Sequence, residues 1–122
     1  MTIVSYDYRD YAICVRPYMK ALFSTLEDVV KHTEKLDAEW REFAQALATR
    51  LRRLRLAASL SQEDVAYRAG LSRFIYQQYE KGESRLGTPS NPTLRSVLAI
   101  AQVFGVSVDE LLPHPVPDLS GR

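Results

Sequence analysis

The stretch SQEDVAYRAGLSRFIYQQYEKG, Ser61–Gly82, decides how the rest of the chain is read. Ser61 suits a helix N-cap, and Gln62, Glu63 and Asp64 supply the polar, acidic first turn that the positive end of a helix dipole favours. Val65, Ala66 and Ala69 mark the inner face of that helix. Gly70 stands where a helix end needs a left-handed C′ residue, Leu71 points inward, and Ser72 caps a second helix from Arg73 to Lys81 that Gly82 terminates. Two helices separated only by Gly70, Leu71 and Ser72 cannot lie antiparallel, so they cross steeply.

Such a crossing is the helix-turn-helix arrangement. The residues resemble its phage repressor/Cro type (the XRE family), whose pattern runs S-Q-x-x-x-A, then G-hydrophobic-S, then a helix ending in E-(K/R)-G. Ser61-Gln62, Ala66, Gly70-Leu71-Ser72 and Glu80-Lys81-Gly82 match it in register. The likeness extends to LRRLRLAASL before the motif and NPTLRSVLAIAQVFGVSVDELL after it, covering residues 41–112. It implies an all-α, five-helix domain whose second motif helix enters the major groove of duplex DNA.

Relative to that pattern, Tyr76 and Tyr79 occupy inward positions where aliphatic residues are commoner, and their hydroxyls need partners or an exit to solvent. Arg73, Phe74, Gln77 and Gln78 are left to face outward and read bases. Arg can donate twice to guanine O6 and N7, Gln can pair with adenine N6 and N7, and Phe can touch a thymine methyl. Phe74-Ile75 replaces a small or polar pair common in the family, which leaves one of the two to fill a core gap. Gln62, Ser72 and Lys81 are placed for phosphate contact. Arg50 and Arg53 join them because the corresponding family helix crosses the DNA backbone near its end. The resemblance gives Glu80 a structural role, holding the core together.

The net charge over 122 residues is only +1, but its distribution is uneven. Residues 1–40 carry five Lys/Arg against seven Asp/Glu, residues 41–85 nine against five, and residues 86–122 two against three. Positive charge thus gathers on the segment holding the motif, as an electrostatic footprint for phosphates requires. A basic solvated helix face would look the same.

Ahead of the motif, Val4, Tyr6 and Tyr8, then Tyr11, Ile13 and Val15, alternate with other residues, a period of two in β-formers. They form a candidate β-ribbon over residues 2–18 that turns near Arg9-Asp10 and ends at Pro17. Ser24 and Glu27 have capping-box spacing. Leu22, Leu26, Val29, Thr33, Leu36, Trp40, Phe43 and Leu47 then follow at alternating intervals of four and three, a heptad seam. The same spacing serves a dimer seam, carried by Leu26, Val29, Leu36 and Trp40, or two helices that break near Asp37 and pack on their own domain. The next helix, 38–58, has Leu47, Leu51 and Leu54 inside and Arg50, Arg52, Arg53 and Arg55 on its outer parts. After the turn-rich ESRLGTPSNP, Thr93 caps a helix with Leu94, Val97, Leu98, Ala101 and Phe104 inside, stopped by Gly105. Ser107 and Glu110 repeat the capping-box spacing, and Pro113 ends the fold.

A lone cysteine, Cys14, excludes an internal disulfide and a multi-cysteine zinc site. No apolar run approaches the roughly 20 residues that span a bilayer, and YDYRDY lacks a signal peptide's basic-then-apolar plan, so a cytoplasmic protein is expected. His32 and His114 lie in no catalytic or metal-binding signature, and no glycine-rich phosphate loop exists. No enzyme activity, cofactor, metal, small-molecule ligand or membrane partner is therefore expected. The sequence reads as an all-α, five-helix helix-turn-helix domain over residues 38–113. An N-terminal extension for dimerisation, residues 1–37, precedes it, and a flexible tail, 114–122, follows. The function it implies is sequence-specific binding of double-stranded DNA by a homodimer on a near-palindromic operator, as a transcriptional regulator and most often a repressor. The alternatives are an antitoxin, or a protein-interaction module that has lost DNA binding and docks through Phe74-Ile75-Tyr76.

Overall fold

Helix α1 runs without interruption from Tyr8 to Ala57 in the computed structural model. The structure describes residues 8–85 and 87–120, with side chains from residue 21 onward. The alternation over residues 8–18 is therefore helical and not a ribbon, and residues 2–7 lie outside the described residues. The preference of Tyr, Ile and Val for strands reflects packing against a neighbouring strand, and an isolated hairpin is marginal without one. Pro17 does not end the run, and no break occurs at Asp37. Ser24 lies within α1 and caps nothing; capping needs a non-helical residue at that point. Neighbouring hydroxyls bond back along the helix, Thr25 Oγ1 to the Ala21 carbonyl and Thr33 Oγ1 to that of Val29, both at 2.9 Å.

The chain divides into two units, 1–35 and 36–122. In the first, Leu22, Phe23, Leu26, Val29 and Val30 are all exposed. In the second, the remainder of α1 is followed by α2 (Gln62–Ala69), α3 (Arg73–Lys81), β1 (Glu83–Arg85), β2 (Thr88–Pro89), α4 (Leu94–Phe104) and α5 (Val108–Leu111). The apolar seam that begins in the first unit changes role in the second, where Phe43 and Leu47 are buried. One periodic pattern therefore serves both an open face and a packed core.

Every short helix of the second unit begins on a hydroxyl cap. Ser61 Oγ accepts from the Asp64 amide while the Asp64 carboxylate accepts from the Ser61 amide, closing a capping box. Ser72, Thr93 and Ser107 accept from the amides of Ile75, Ser96 and Glu110. Each such cap contributes about 1 kcal/mol. Gly70, Gly82 and Gly105 end α2, α3 and α4 in the left-handed conformation.

The core gathers Leu47 and Leu51 of α1, Val65 and Ala66 of α2, Tyr76 and Tyr79 of α3, Ile100 and Ala101 of α4, and Leu111 of α5. In α4 the inner face is rotated from the expected one: Leu94 is 71% exposed and Leu98 42% exposed, while Ser96 and Ile100 are buried. Ser96 tolerates burial because its hydroxyl lies 2.9 Å from Thr93 Oγ1 and accepts from Tyr79 Oη at 3.4 Å.

The segment after α3 is a short antiparallel hairpin with Glu83 opposite Pro89 and Arg85 opposite Thr88. The Ser90 amide donates to the Gly82 carbonyl at 2.8 Å, closing its base. Gly82 is doubly constrained: its φ is +80°, and a Cβ there would sit 2.6 Å from Gln45 Nε2, which donates to the Lys81 carbonyl. Gly82→Ala is expected to cost about 1–2 kcal/mol through left-handed strain, with partial loss of that Gln45 bond, as read by urea unfolding. A cost near zero would show that the turn relaxes freely.

Candidate nucleic-acid interface

Glu80, near the end of α3, is 2% exposed and accepts from three side chains. Arg55 at the end of α1 donates through Nε to Oε1 and through Nη2 to Oε2, the latter at 3.2 Å. Gln62 Nε2 at the start of α2 donates to Oε2 at 2.7 Å, and Tyr76 Oη donates to Oε1 at 2.8 Å. Burial alone would push the Glu80 carboxyl up, but the bonds from Arg55, Gln62 and Tyr76 and the nearby guanidinium together hold it below the ordinary carboxylate range. The same contact with Glu80 raises the Arg55 guanidinium further, and burial followed by the Glu80 bond raises the Tyr76 hydroxyl. Arg55 Nη1 also donates to the Leu60 carbonyl at 3.1 Å. One carboxylate thereby ties three helices and sets which face of α3 is inside.

Sequence reasoning placed Arg55 with the outer arginines and missed this role. The signal was present: Leu47, Leu51 and Arg55 recur every four residues, and an acid on the inward face of α3 requires a cation once buried.

The opposite face of α3 is open. Arg73, the first helical residue, and Gln77, one turn later, are exposed. Phe74 is 66% exposed while Ile75 packs against the core, which settles which of that pair fills the gap. Lys81 is exposed as well. Gln78 is half-buried, and its Nε2 donates to the Ser84 carbonyl of β1. Phe74, Gln77, Gln78, Lys81, Glu83, Ser84 and Arg85 together line a shallow groove of about 430 Å³.

Of the residues expected at phosphates, Ser72 is exposed with its hydroxyl capping α3, and Arg53 is exposed. The Gln62 amide group faces Glu80. Arg50 Nε donates to the Glu110 carbonyl at 2.7 Å, bracing α1 against α5. Of the residues expected at a dimer seam, Leu26 and Val29 are exposed and Leu36 is half-buried. Trp40 is engaged within the second unit, its Nε1 donating to the Ser90 carbonyl at 3.2 Å and its ring centroid 5.5 Å from that of Phe43.

A family profile described as a helix-turn-helix domain matches residues 46–113, more than half of the chain. The chain belongs to the helix-turn-helix domain family. No curated protein and no solved structure matches it. In this helix-turn-helix domain α2 and α3, joined through Gly70, Leu71 and Ser72, are the motif pair, and Arg73, Phe74 and Gln77 stand exposed on α3. Among the described residues no cluster of His, Cys, Asp and Glu is arranged to hold a metal ion. None of the described helices is long and apolar enough to cross a membrane.

Proposed function

We propose that the protein is a transcriptional regulator, a repressor, that binds a near-palindromic site in duplex DNA as a homodimer. The observation that carries this reading is the division of α3 into two faces. Tyr76, Tyr79 and Glu80 are buried, while Arg73, Phe74 and Gln77 are exposed on a helix that the Glu80 network ties to α1 and α2. Arg73 would take a guanine, Gln77 an adenine, and Phe74 a thymine methyl. Lys81 and Arg53 would contact phosphates, which add affinity without reading sequence. Two copies of α3 in successive major grooves lie roughly 34–36 Å apart, a separation that requires a partner subunit. The exposed stripe of Leu22, Phe23, Leu26, Val29 and Val30 supplies the apolar face for one.

The test is fluorescence anisotropy of duplexes from the protein's own upstream region against scrambled duplexes across a salt series. Arg73→Ala is expected to cost about 1–3 kcal/mol on the preferred duplex and to relax specificity at one position. Binding to scrambled DNA should weaken steeply with salt. Binding equal for both duplexes would remove autoregulation, and no binding at any salt would leave the Phe74 face as a protein-docking surface.

A further inference from the structure

We infer that the β1–β2 hairpin belongs to the DNA-recognition surface and that Gln78 is the positioning residue that fastens it to α3, leaving base reading to Arg73, Phe74 and Gln77. This rests on the DNA-binding reading above. A hairpin of three and two residues cannot hold its own orientation, since even longer isolated ribbons are marginal in water. Its base is fixed by the Ser90 amide on the Gly82 carbonyl and by Trp40 Nε1 on the Ser90 carbonyl. Farther along, among the described residues, the side-chain tie between α3 and β1 is that from Gln78 to Ser84.

The chemistry of this tie is unambiguous. Ser84 offers a carbonyl, which can only accept, so the Gln78 nitrogen faces it and the amide is turned toward β1. Gln78 is half-buried there, whereas Gln77 next to it is exposed. Rotating Gln78 out to pair with adenine would release the hairpin. With the tie in place, β1 forms one wall of the groove whose other wall is Phe74, Gln77 and Lys81, and exposed Arg85 stands on the same side as those residues. β1 brings both Glu83 and Arg85 to this groove, Glu83 half-buried and Arg85 exposed, so the group that reaches farthest toward a duplex is the Arg85 guanidinium, which suits a backbone phosphodiester beside the bases that α3 reads.

The experiment uses the full chain and a duplex pool with a randomised central segment. Wild type, Gln78→Met, Gln78→Ala, Gln77→Met, Arg85→Ala and the Gln78→Met/Arg85→Ala double variant are each taken through selection. Both Gln78 variants are expected to enrich the same bases as wild type at every position. They should bind the enriched duplex about tenfold more weakly, with a salt slope lower by about 1, as Arg85→Ala does. The double variant should bind no more weakly than Arg85→Ala alone, because the two act as one unit. Gln77→Met should instead relax one position. Relaxation of a position by Gln78→Met, or additive losses in the double variant, would overturn the assignment. Amide exchange over residues 83–89 without DNA provides a separate readout: it should accelerate in both Gln78 variants and not in Gln77→Met, and unchanged exchange refutes the fastening. If wild type enriches no sequence while the exchange still responds, the DNA reading has failed and the fastening has not.

Discussion

Glu80→Ala is expected to lower the unfolding free energy by about 3–5 kcal/mol, the cost of breaking a buried ion pair from one side. The carboxylate is the common acceptor for Arg55, Gln62 and Tyr76, so its removal takes the partner from a buried phenol and from a half-buried guanidinium and amide at once. Against a total stability of about 5–15 kcal/mol for a domain of this size, the variant retains little margin. Urea unfolding followed by circular dichroism, at fixed protein concentration, measures the loss. A change below about 1 kcal/mol would show that the network relaxes without it. Stability should also depend on pH through this group. Its carboxyl lies below the ordinary value of 4.5 in the folded state. A depressed pKa contributes stability that is complete above the unfolded value and is lost as pH falls through the folded one. The stability gap between wild type and Glu80→Gln should therefore be constant near neutrality and shrink below about pH 4.5. A gap that stays constant down to pH 3 would contradict the depressed carboxyl.

Introducing Leu26→Asp together with Val29→Asp is expected to yield a monomer whose affinity for a duplex bearing two half-sites falls by about 10²–10⁴-fold. Affinity for a single half-site should not change, because the loss comes from tethering the second reader and not from any contact made by the first. Leu26 is 56% exposed and Val29 57% exposed, so the substitutions remove nothing from the core around Leu51 and Tyr76. Two carboxylates facing the same two on a partner would oppose association through repulsion and desolvation. Sedimentation velocity gives the oligomeric state, and anisotropy with one- and two-site duplexes gives the affinities. A double variant that stays dimeric would move the interface away from this stripe. A wild-type monomer at micromolar concentration would remove the homodimer from the proposed function.

The parts of the fold legible in the sequence are those decided within a few residues. Ser61, Ser72 and Thr93 cap the helices where a hydroxyl precedes a run of helix formers, and Gly70, Gly82 and Gly105 end them where a left-handed residue is needed. Those signals are local because the hydrogen bonds that make them join atoms three to five residues apart. The same logic misread residues 8–18 and Ser24, where identical residue types lie in a continuous helix. Propensity states what a segment tolerates, and its surroundings choose among the options. Periodicity behaved likewise along α1. The seam from Leu22 to Leu47 was visible, yet which part stays open and which is buried depends on what the chain places against it.

By itself, the sequence determined that two helices meet at Gly70-Leu71-Ser72, that the second turns Tyr76 and Tyr79 inward and Arg73 and Gln77 outward in a set that also held Phe74 and Gln78, and where α2, α3 and α4 stop. Only the tertiary structure decided that Ile75 and not Phe74 fills the core, and that Arg55, 25 residues before Glu80, is its partner. It alone showed that Gln78 holds Ser84 and that Trp40 reaches Ser90, 50 residues away. The reason is physical: a cap or a glycine turn is closed by neighbouring backbone atoms. A buried charge or an anchored hairpin is completed by groups that meet only when helices distant in the chain pack together, and several similar arginines or glutamines compete for each role until packing selects one.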